Sequence, residues 1–126
     1  MTAARQRLGR LAEDLAARRL RERGFRILER NSRTRLGELD LVALDGDVLV
    51  FVEVKAGRLG SRAGPERPVL AVGPRKQLRL RLLARQWLAD RRGRLSGVRA
   101  LRFDVVGVTF DVAGRLAGFE HIRNAF

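Results

Sequence analysis

The stretch ELDLVALDGDVLVFVEVK, residues 38–55, decides the fold because it contains two apolar segments separated by a short turn signal. The second segment is rich in valine and includes a phenylalanine, residue types that favour strands. Between the segments, the dipeptide Asp45-Gly46 is typical of a type I′ turn. The stretch therefore predicts a β-hairpin whose strands cover residues 38–44 and 47–55.

The predicted hairpin brings four charged side chains together. Side chains two residues apart in a strand point to the same face of the sheet. A two-residue turn at Asp45-Gly46 sets a register in which Asp40 lies opposite Phe51, and Glu38 lies opposite Glu53. Lys55 follows two residues after Glu53, so all four charged residues are expected to share one face.

Carboxylates this close repel one another unless a cation or a proton lies between them. Mg²⁺ and Mn²⁺ prefer carboxylate and water oxygens, and one or two carboxylates plus a substrate phosphate complete a magnesium site. Lys55 can then position or activate a water, or offset charge on the reacting phosphate. We therefore predict a phosphodiester-hydrolysing site with Asp40, Glu53 and Lys55 as its catalytic residues.

The alternative is that these charges are only the solvated side of a half-exposed sheet. Three apolar residues on the same predicted face, Val42, Leu49 and Phe51, disfavour this alternative. Such a face packs against a helix, which leaves the charged residues at its end.

Composition limits the other function classes. With 126 residues and 45% hydrophobic content, the chain is predicted to form one domain, residues 1–126. Cysteine is absent and His121 is the only histidine, so thiolate sites and zinc clusters lack their usual ligands. No secretory signal is evident, and the apolar run at residues 48–52 is too short to cross a bilayer, which predicts a cytoplasmic protein.

The charge of the chain predicts a polyanionic partner. Lys and Arg total 27 against 14 Asp and Glu, giving a formal net charge of +13. Nucleic acid, most simply DNA, is the expected partner, ahead of an anionic membrane surface. A GC-rich genome would explain why all basic residues but two are arginine, but it would not explain the excess of basic residues.

The rest of the chain predicts an α/β fold of order αβββαβ. A crossover through the second helix should place the last strand parallel to a hairpin strand, giving a mixed β-sheet flanked by helices. The predicted elements besides the hairpin are helices at 4–23 and 74–92 and strands at 25–29 and 101–110. The predicted connections are a polar segment at 30–35, a surface loop at 56–73 and a terminal helical turn at 119–126.

Two motifs carry a family resemblance. GELDLV at residues 37–42 and VFVEVK at residues 50–55 resemble the D…ExK core of the restriction-endonuclease-like superfamily, in which Holliday-junction resolvases are the nearest relatives. More narrowly, residues 8–126 resemble the YraN-like family of uncharacterised bacterial proteins. The resemblance includes the Arg30-Asn31 pair and the closing HIRNAF motif.

The resemblance implies Asp40 and Glu53 as metal ligands and Lys55 as the catalytic lysine. Glu13 would be a further ligand from the first helix, where it lies nearer the apolar stripe than its neighbour, although it could equally be solvated. Glu38 ranks just below Glu13, as a ligand or a supporting residue.

The activity that the resemblance implies is that of an endonuclease acting on DNA with Mg²⁺ or Mn²⁺, and a homodimer is expected by analogy with resolvases. The alternatives are a nucleic-acid-binding protein that keeps this fold without cleaving, and a structural adaptor.

Candidate phosphate contacts lie near the second helix. Lys76 and Gln77 match the family pattern at the start of this helix, where backbone amides favour a phosphate, although a plain capping turn would read the same way. Further candidates, each of which could instead be merely solvated, are Arg58, Arg62, Arg67 and Arg75. Trp87 is expected in the core, and the His121 and Asn124 tail is expected to pack against the domain.

Overall fold

The computed structural model describes residues 3–60, 67–91 and 95–126. Within these ranges it contains two α-helices, five β-strands and one short 3₁₀ helix. The elements are α1 (Ala3–Glu22), β1 (Arg26–Thr34), β2 (Gly37–Asp45), β3 (Val48–Arg58), the 3₁₀ helix (Pro68–Ala71), α2 (Pro74–Asp90), β4 (Ala100–Phe110) and β5 (Leu116–Ile122).

The five strands form one mixed sheet in the order β1-β2-β3-β4-β5. Strands β3 and β4 are parallel and are joined through α2, while the other neighbouring pairs are antiparallel. The predicted parallel crossover and the mixed α/β architecture are therefore confirmed. No helix in the described ranges is both long and apolar enough to cross a membrane.

The two helices cover opposite faces of the sheet, because alternate residues of the central strands are apolar on both faces. On one face, Val50 and Val52 pack with α1 in a cluster that we call the α1 core. On the other, Leu49 and Phe51 pack with α2 in the α2 core. Trp87 lies in the α2 core, with its ring edge-on to Phe51 at a centroid distance of 5.7 Å. This confirms its predicted place in the core.

Two predicted segments were wrong. Residues 30–35 are not a polar connection, because β1 continues to Thr34. As an edge strand, β1 keeps many of its side chains exposed and so shows no apolar alternation. The closing segment is not helical: Leu116–Ile122 forms β5, which pairs antiparallel with β4. The order is therefore αβββαββ.

The hairpin turn lies one residue further along the chain than predicted. Asp45 pairs with Val48, so Gly46 and Asp47 are the central residues of the turn. Gly46 has a φ of 62° in the first central position, which is where a type II′ turn requires glycine. The register differs from the predicted one by two residues, and Val42, not Asp40, lies opposite Phe51.

The side-chain alternation of β2 breaks at Asp40. Leu39 packs in the α2 core, whereas Leu41 packs in the α1 core, although residues two apart normally share a face. Regular alternation had predicted that Glu38 and Val42 share a face. Because of the break, they do not.

The start of α2 is held close to the sheet by the 3₁₀ helix. A Cβ atom on Gly57 would lie 2.7 Å from Pro68 Cγ, and one on Gly107 would lie 2.8 Å from Val69 Cγ1. These two glycines therefore permit a contact that a larger residue would block. Pro68 and Val69 are buried, so the predicted surface loop is partly a packed segment.

Candidate active site

Asp40 lies where strands β2 and β3 separate. Their regular pairing ends at Leu41 and Val52. Just beyond this pair, Asp40 Oδ2 accepts a hydrogen bond of 2.8 Å from the backbone N–H of Val54. The carboxylate thus occupies the gap between the strands, where a backbone carbonyl would otherwise serve as acceptor.

Glu53 is a buried carboxylate contacted by two lysines. Lys55 Nζ lies 3.3 Å from Glu53 Oε1, and Lys76 Nζ lies 3.5 Å from the same oxygen. Lys55 comes from β3 and Lys76 from the first turn of α2. They are the only lysines in the chain. Both ammonium groups offset the cost of burying a negative charge at this position.

Burial also perturbs the acid–base properties of the cluster. Burial, and after it the neighbouring charge of Glu53, raise the pKa of Asp40 to about 7, although the Val54 hydrogen bond acts to lower it. Burial, together with the contact with Lys76, lowers the pKa of Lys55. A carboxyl group with a raised pKa beside an ammonium group with a lowered pKa is typical of functional sites.

Glu13 and Glu38 form a second pair of carboxylates beside Asp40. Burial and the nearby Glu38 raise the pKa of Glu13, and Glu13 in turn contributes to the raised pKa of Asp40. With its amide nitrogen facing the two carboxylates, Asn31 donates to Glu38 Oε1 at 2.9 Å and to both Glu13 oxygens at 3.1 Å. Asn31 therefore holds together two groups that repel each other.

Asn31 is a site residue that the chemical reasoning missed. Its φ is 51°, in the left-handed region, within strand β1. Asparagine tolerates this conformation better than most residues, and non-glycine residues there are concentrated at functional sites. Asn31 belongs to a segment that resembles the YraN-like family, but the sequence did not indicate its role. That role is evident only from its contacts with Glu13 and Glu38.

The structure brings together most of the predicted site. Asp40, Glu53 and Lys55 are in one cluster, and Glu13 approaches them from α1. The prediction that Glu38 lies opposite Glu53 was wrong. Glu38 lies opposite Arg33 of β1, and it has no partner on β3 because the β2–β3 pairing, in a register shifted by two residues, ends at Leu41.

The donor set fits a hard divalent cation. Within residues 3–60, 67–91 and 95–126, no three His, Asp or Glu side chains form a ready group that could hold a metal ion. Two carboxylates are nevertheless sufficient for Mg²⁺, which usually keeps several waters and binds substrate phosphate. Asp40 and Glu53 are the residues that would hold it.

The residues predicted to contact phosphate differ in their exposure and in their partners. Arg58 and Arg75 are exposed, at the end of β3 and the start of α2. Arg67 pairs with Glu120 of β5 and is thus engaged elsewhere. The Gln77 side chain donates to the carbonyl of Val72 at 3.0 Å, and the N-terminus of α2 has no side-chain cap. Arg62 lies outside the described residues.

The C-terminal tail docks through a buried aspartate. Asp104 accepts hydrogen bonds from His121 Nε2 at 2.8 Å, Arg102 Nε at 2.8 Å and the Asn124 N–H at 3.0 Å. Although burial acts to raise it, the pKa of Asp104 is lowered by these donors. His121 and Asn124 therefore dock the tail against the domain, as expected for them.

The raised pKa of Asp40 predicts a pH dependence of stability. The folded protein keeps this proton up to about pH 7, whereas the unfolded chain loses it near 3.8. The folded state binds more protons in that interval, so the free energy of unfolding falls as the pH rises. As the pH rises from about 5 to about 7.5, the free energy of unfolding of the metal-free Asp40→Asn variant should therefore increase relative to that of wild type. Urea unfolding at these two pH values measures the difference between the two proteins, and a difference that stays constant would contradict the prediction.

Comparison with known proteins places the chain in a family. A model of the Uncharacterised protein family UPF0102 matches residues 12–108. A UPF0102 protein of Pelotomaculum thermopropionicum is 51% identical over 126 residues, covering all of both chains. A UPF0102 protein of Anaeromyxobacter dehalogenans is 54% identical over 123 residues, covering 97% of this chain and 85% of the relative. The chain therefore belongs to the UPF0102 (YraN-like) family.

Proposed function

We propose that the protein is a metal-dependent endonuclease that hydrolyses phosphodiester bonds of DNA, on a fold of the restriction-endonuclease-like, resolvase-related type. One observation carries the proposal. Asp40, bound to the Val54 N–H where two strands separate, lies close enough to the buried Glu53 for their charges to interact, and Lys55 contacts Glu53. Acid, acid and lysine in this arrangement are the groups that phosphodiester hydrolysis uses.

In the proposed mechanism, Asp40 and Glu53 would hold Mg²⁺ or Mn²⁺, which would supply Lewis acidity toward the phosphate and lower the pKa of a water. The Val54 N–H fixes the Asp40 carboxylate, so it needs little rearrangement. Lys55 orients the attacking water or offsets the charge that develops on the phosphate. Glu13 and Glu38, joined by Asn31, provide additional negative charge that favours a cation nearby.

In this proposal, Lys76 binds a phosphate of the DNA substrate. Its side chain is 41% exposed, compared with 21% for Lys55, so it is the more accessible of the two lysines. A partly exposed ammonium at the start of a helix suits a phosphate oxygen, to which the helix dipole adds a smaller attraction. Arg58 and Arg75 would extend this contact along the DNA backbone.

A second candidate is a nucleic-acid-binding protein that does not cleave. The net charge of +13 favours it, because binding through phosphate neutralisation requires no metal. The two candidates differ in what they require of Asp40. Cleavage needs its carboxylate, whereas binding does not.

A cleavage assay separates the candidates. Purified protein is incubated with linear duplex, single-stranded and four-way-junction DNA in Mg²⁺, Mn²⁺ or EDTA. We expect metal-dependent cleavage by wild type and none by Asp40→Asn, whose amide oxygen can still accept the Val54 hydrogen bond. Asp47→Asn, at the opposite end of the hairpin, is the matched control and should cleave normally. Binding by wild type without metal-dependent cleavage would favour the second candidate.

A further inference from the structure

The β1–β2 hairpin has a braced tip. Arg35 and Leu36 form its two-residue turn, between the paired residues Thr34 and Gly37. The Thr34 hydroxyl donates to the carbonyl of Gly37 at 2.9 Å and accepts from the N–H of Leu36 at 3.1 Å. Both sides of the turn are thus tied to one side chain, which restricts the conformations of the tip.

Helix α2 also fixes the hairpin tip. Arg79 Nη2 donates to the carbonyl of Leu36 at 2.8 Å, and Arg35 Nη2 donates to Gln86 Oε1 at 3.4 Å. Gly37 permits this approach, because a Cβ atom there would lie 2.8 Å from Arg79 Nη2 and its φ is 146°. A fixed tip loses less entropy than a flexible loop when it binds a partner.

Acidic side chains neutralise the arginines at this tip only weakly. In the described ranges, Arg35 and Arg79 form no ion pair with an acidic group. Arg33 is 3.8 Å from Glu38, but its side chain is 89% exposed, so water screens that contact strongly. The tip therefore carries uncompensated positive charge.

At the opposite end of the sheet, arginines have acidic partners. Arg99 pairs with Asp47 at 2.6 Å, and Arg123 lies 3.6 Å from Asp45. Arg102 pairs with Asp45 and with the buried Asp104. Acidic groups thus compensate the charge of these arginines, whereas in the described ranges no acidic group pairs with Arg35 or Arg79.

The hairpin tip lies at the same end of the sheet as the candidate active site. Gly37 precedes Asp40 by three residues on β2, which corresponds to about 10 Å of strand. Along the axis of duplex DNA, about 10 Å corresponds to about three base-pair steps. A backbone that passes the Asp40 cluster can therefore also contact the hairpin.

We propose that the β1–β2 hairpin, through Arg33, Arg35 and the neighbouring Arg79, binds the phosphate backbone of DNA beside the site of cleavage. This inference rests on the proposed function for the identity of the site. The binding itself requires neither a metal ion nor catalysis. The hairpin adds a contact to the loop arginines that the sequence had indicated.

The test measures DNA affinity in EDTA, where no cleavage takes place. Fluorescence anisotropy with a labelled duplex across a range of NaCl concentrations compares wild type with a variant carrying both Arg33→Ala and Arg35→Ala. The matched control carries Arg99→Ala and Arg123→Ala, which removes the same net charge at the opposite end. Circular dichroism melting establishes that both variants remain folded.

We expect the hairpin variant to bind at least about tenfold more weakly, with the slope of log affinity against log salt reduced by about 2. The control should retain most of both quantities. Equal weakening of the two variants, or unchanged binding by the hairpin variant, would overturn the inference. Hairpin-dependent binding without metal-dependent cleavage would leave it standing while removing the proposed nuclease activity.

Discussion

The Lys55→Met variant is expected to cleave DNA at least about 100-fold more slowly than wild type at saturating Mg²⁺, which is about 2.7 kcal/mol of transition-state stabilisation. Lys55 is mostly buried and its ammonium lies 3.3 Å from Glu53. Methionine keeps the length and packing of the side chain but provides no charge and no N–H donor. Single-turnover cleavage under excess enzyme measures the effect, and metal-free DNA binding should change little.

Lys76→Met is the matched comparison for this variant. Lys76 contacts the same Glu53 oxygen, but its more exposed side chain is assigned to substrate binding. We expect less than about a tenfold loss in the rate constant, with a weaker apparent affinity for DNA. Lys55→Arg should not restore the rate, because a planar guanidinium does not replace a compact ammonium. An Asp40 cluster without catalytic function would give the wild-type rate for Lys55→Met.

The Asp104→Ala variant should lose about 3–5 kcal/mol of folding free energy, a large share of the stability of a small domain. Asp104 is fully buried and accepts hydrogen bonds from Arg102, His121 and the tail. Its removal leaves the side chains of Arg102 and His121 without their common acceptor. Urea unfolding monitored by Trp87 fluorescence measures the change.

Asp47→Ala provides the control for this loss. Asp47 also pairs with an arginine, Arg99, but both side chains are substantially exposed. An exposed pair contributes at most about 1 kcal/mol. If Asp104→Ala were no more destabilising than Asp47→Ala, the tail would not depend on the Asp104 network.

Regular strand patterns predicted much of this fold. The apolar run before Glu53 identified β3, and the long helical period before Gly93 identified α2. A strand, a helix and another strand then lead to a parallel pair, because the right-handed crossover is nearly universal. The sequence also predicted that Asp40, Glu53 and Lys55 lie close together, but it did so from a hairpin register that differs by two residues from the observed one.

Other features depend on contacts that a local pattern does not reveal. Strand β1 has an exposed, arginine-rich sequence, and only its pairing with β2 makes residues 30–34 extended. The break at Asp40 depends on the left-handed Asn31 beside it and on the Val54 hydrogen bond. Lys76 reaches Glu53 because the 3₁₀ helix packs on two strand glycines far away in sequence.

The sequence predicted the turn of the β2–β3 hairpin one residue too early in the chain. Asp45-Gly46 suits a type I′ turn, but the observed turn uses Gly46-Asp47 and leaves Asp45 paired with Val48. Asp45 then forms ion pairs with Arg102 of β4 and Arg123 of the C-terminal tail. These distant partners favour a turn that local propensity alone does not select.

Metal binding tests the central claim most directly, because it does not depend on finding the correct DNA substrate. Titration of Mn²⁺ into the protein, followed by electron paramagnetic resonance of the free ion, compares wild type with Asp40→Asn and Glu53→Gln at pH 8. We predict saturable binding by wild type and at least about a tenfold loss of affinity in each variant. Absence of binding by wild type, or equal affinity in all three proteins, would contradict a metal site at Asp40 and Glu53.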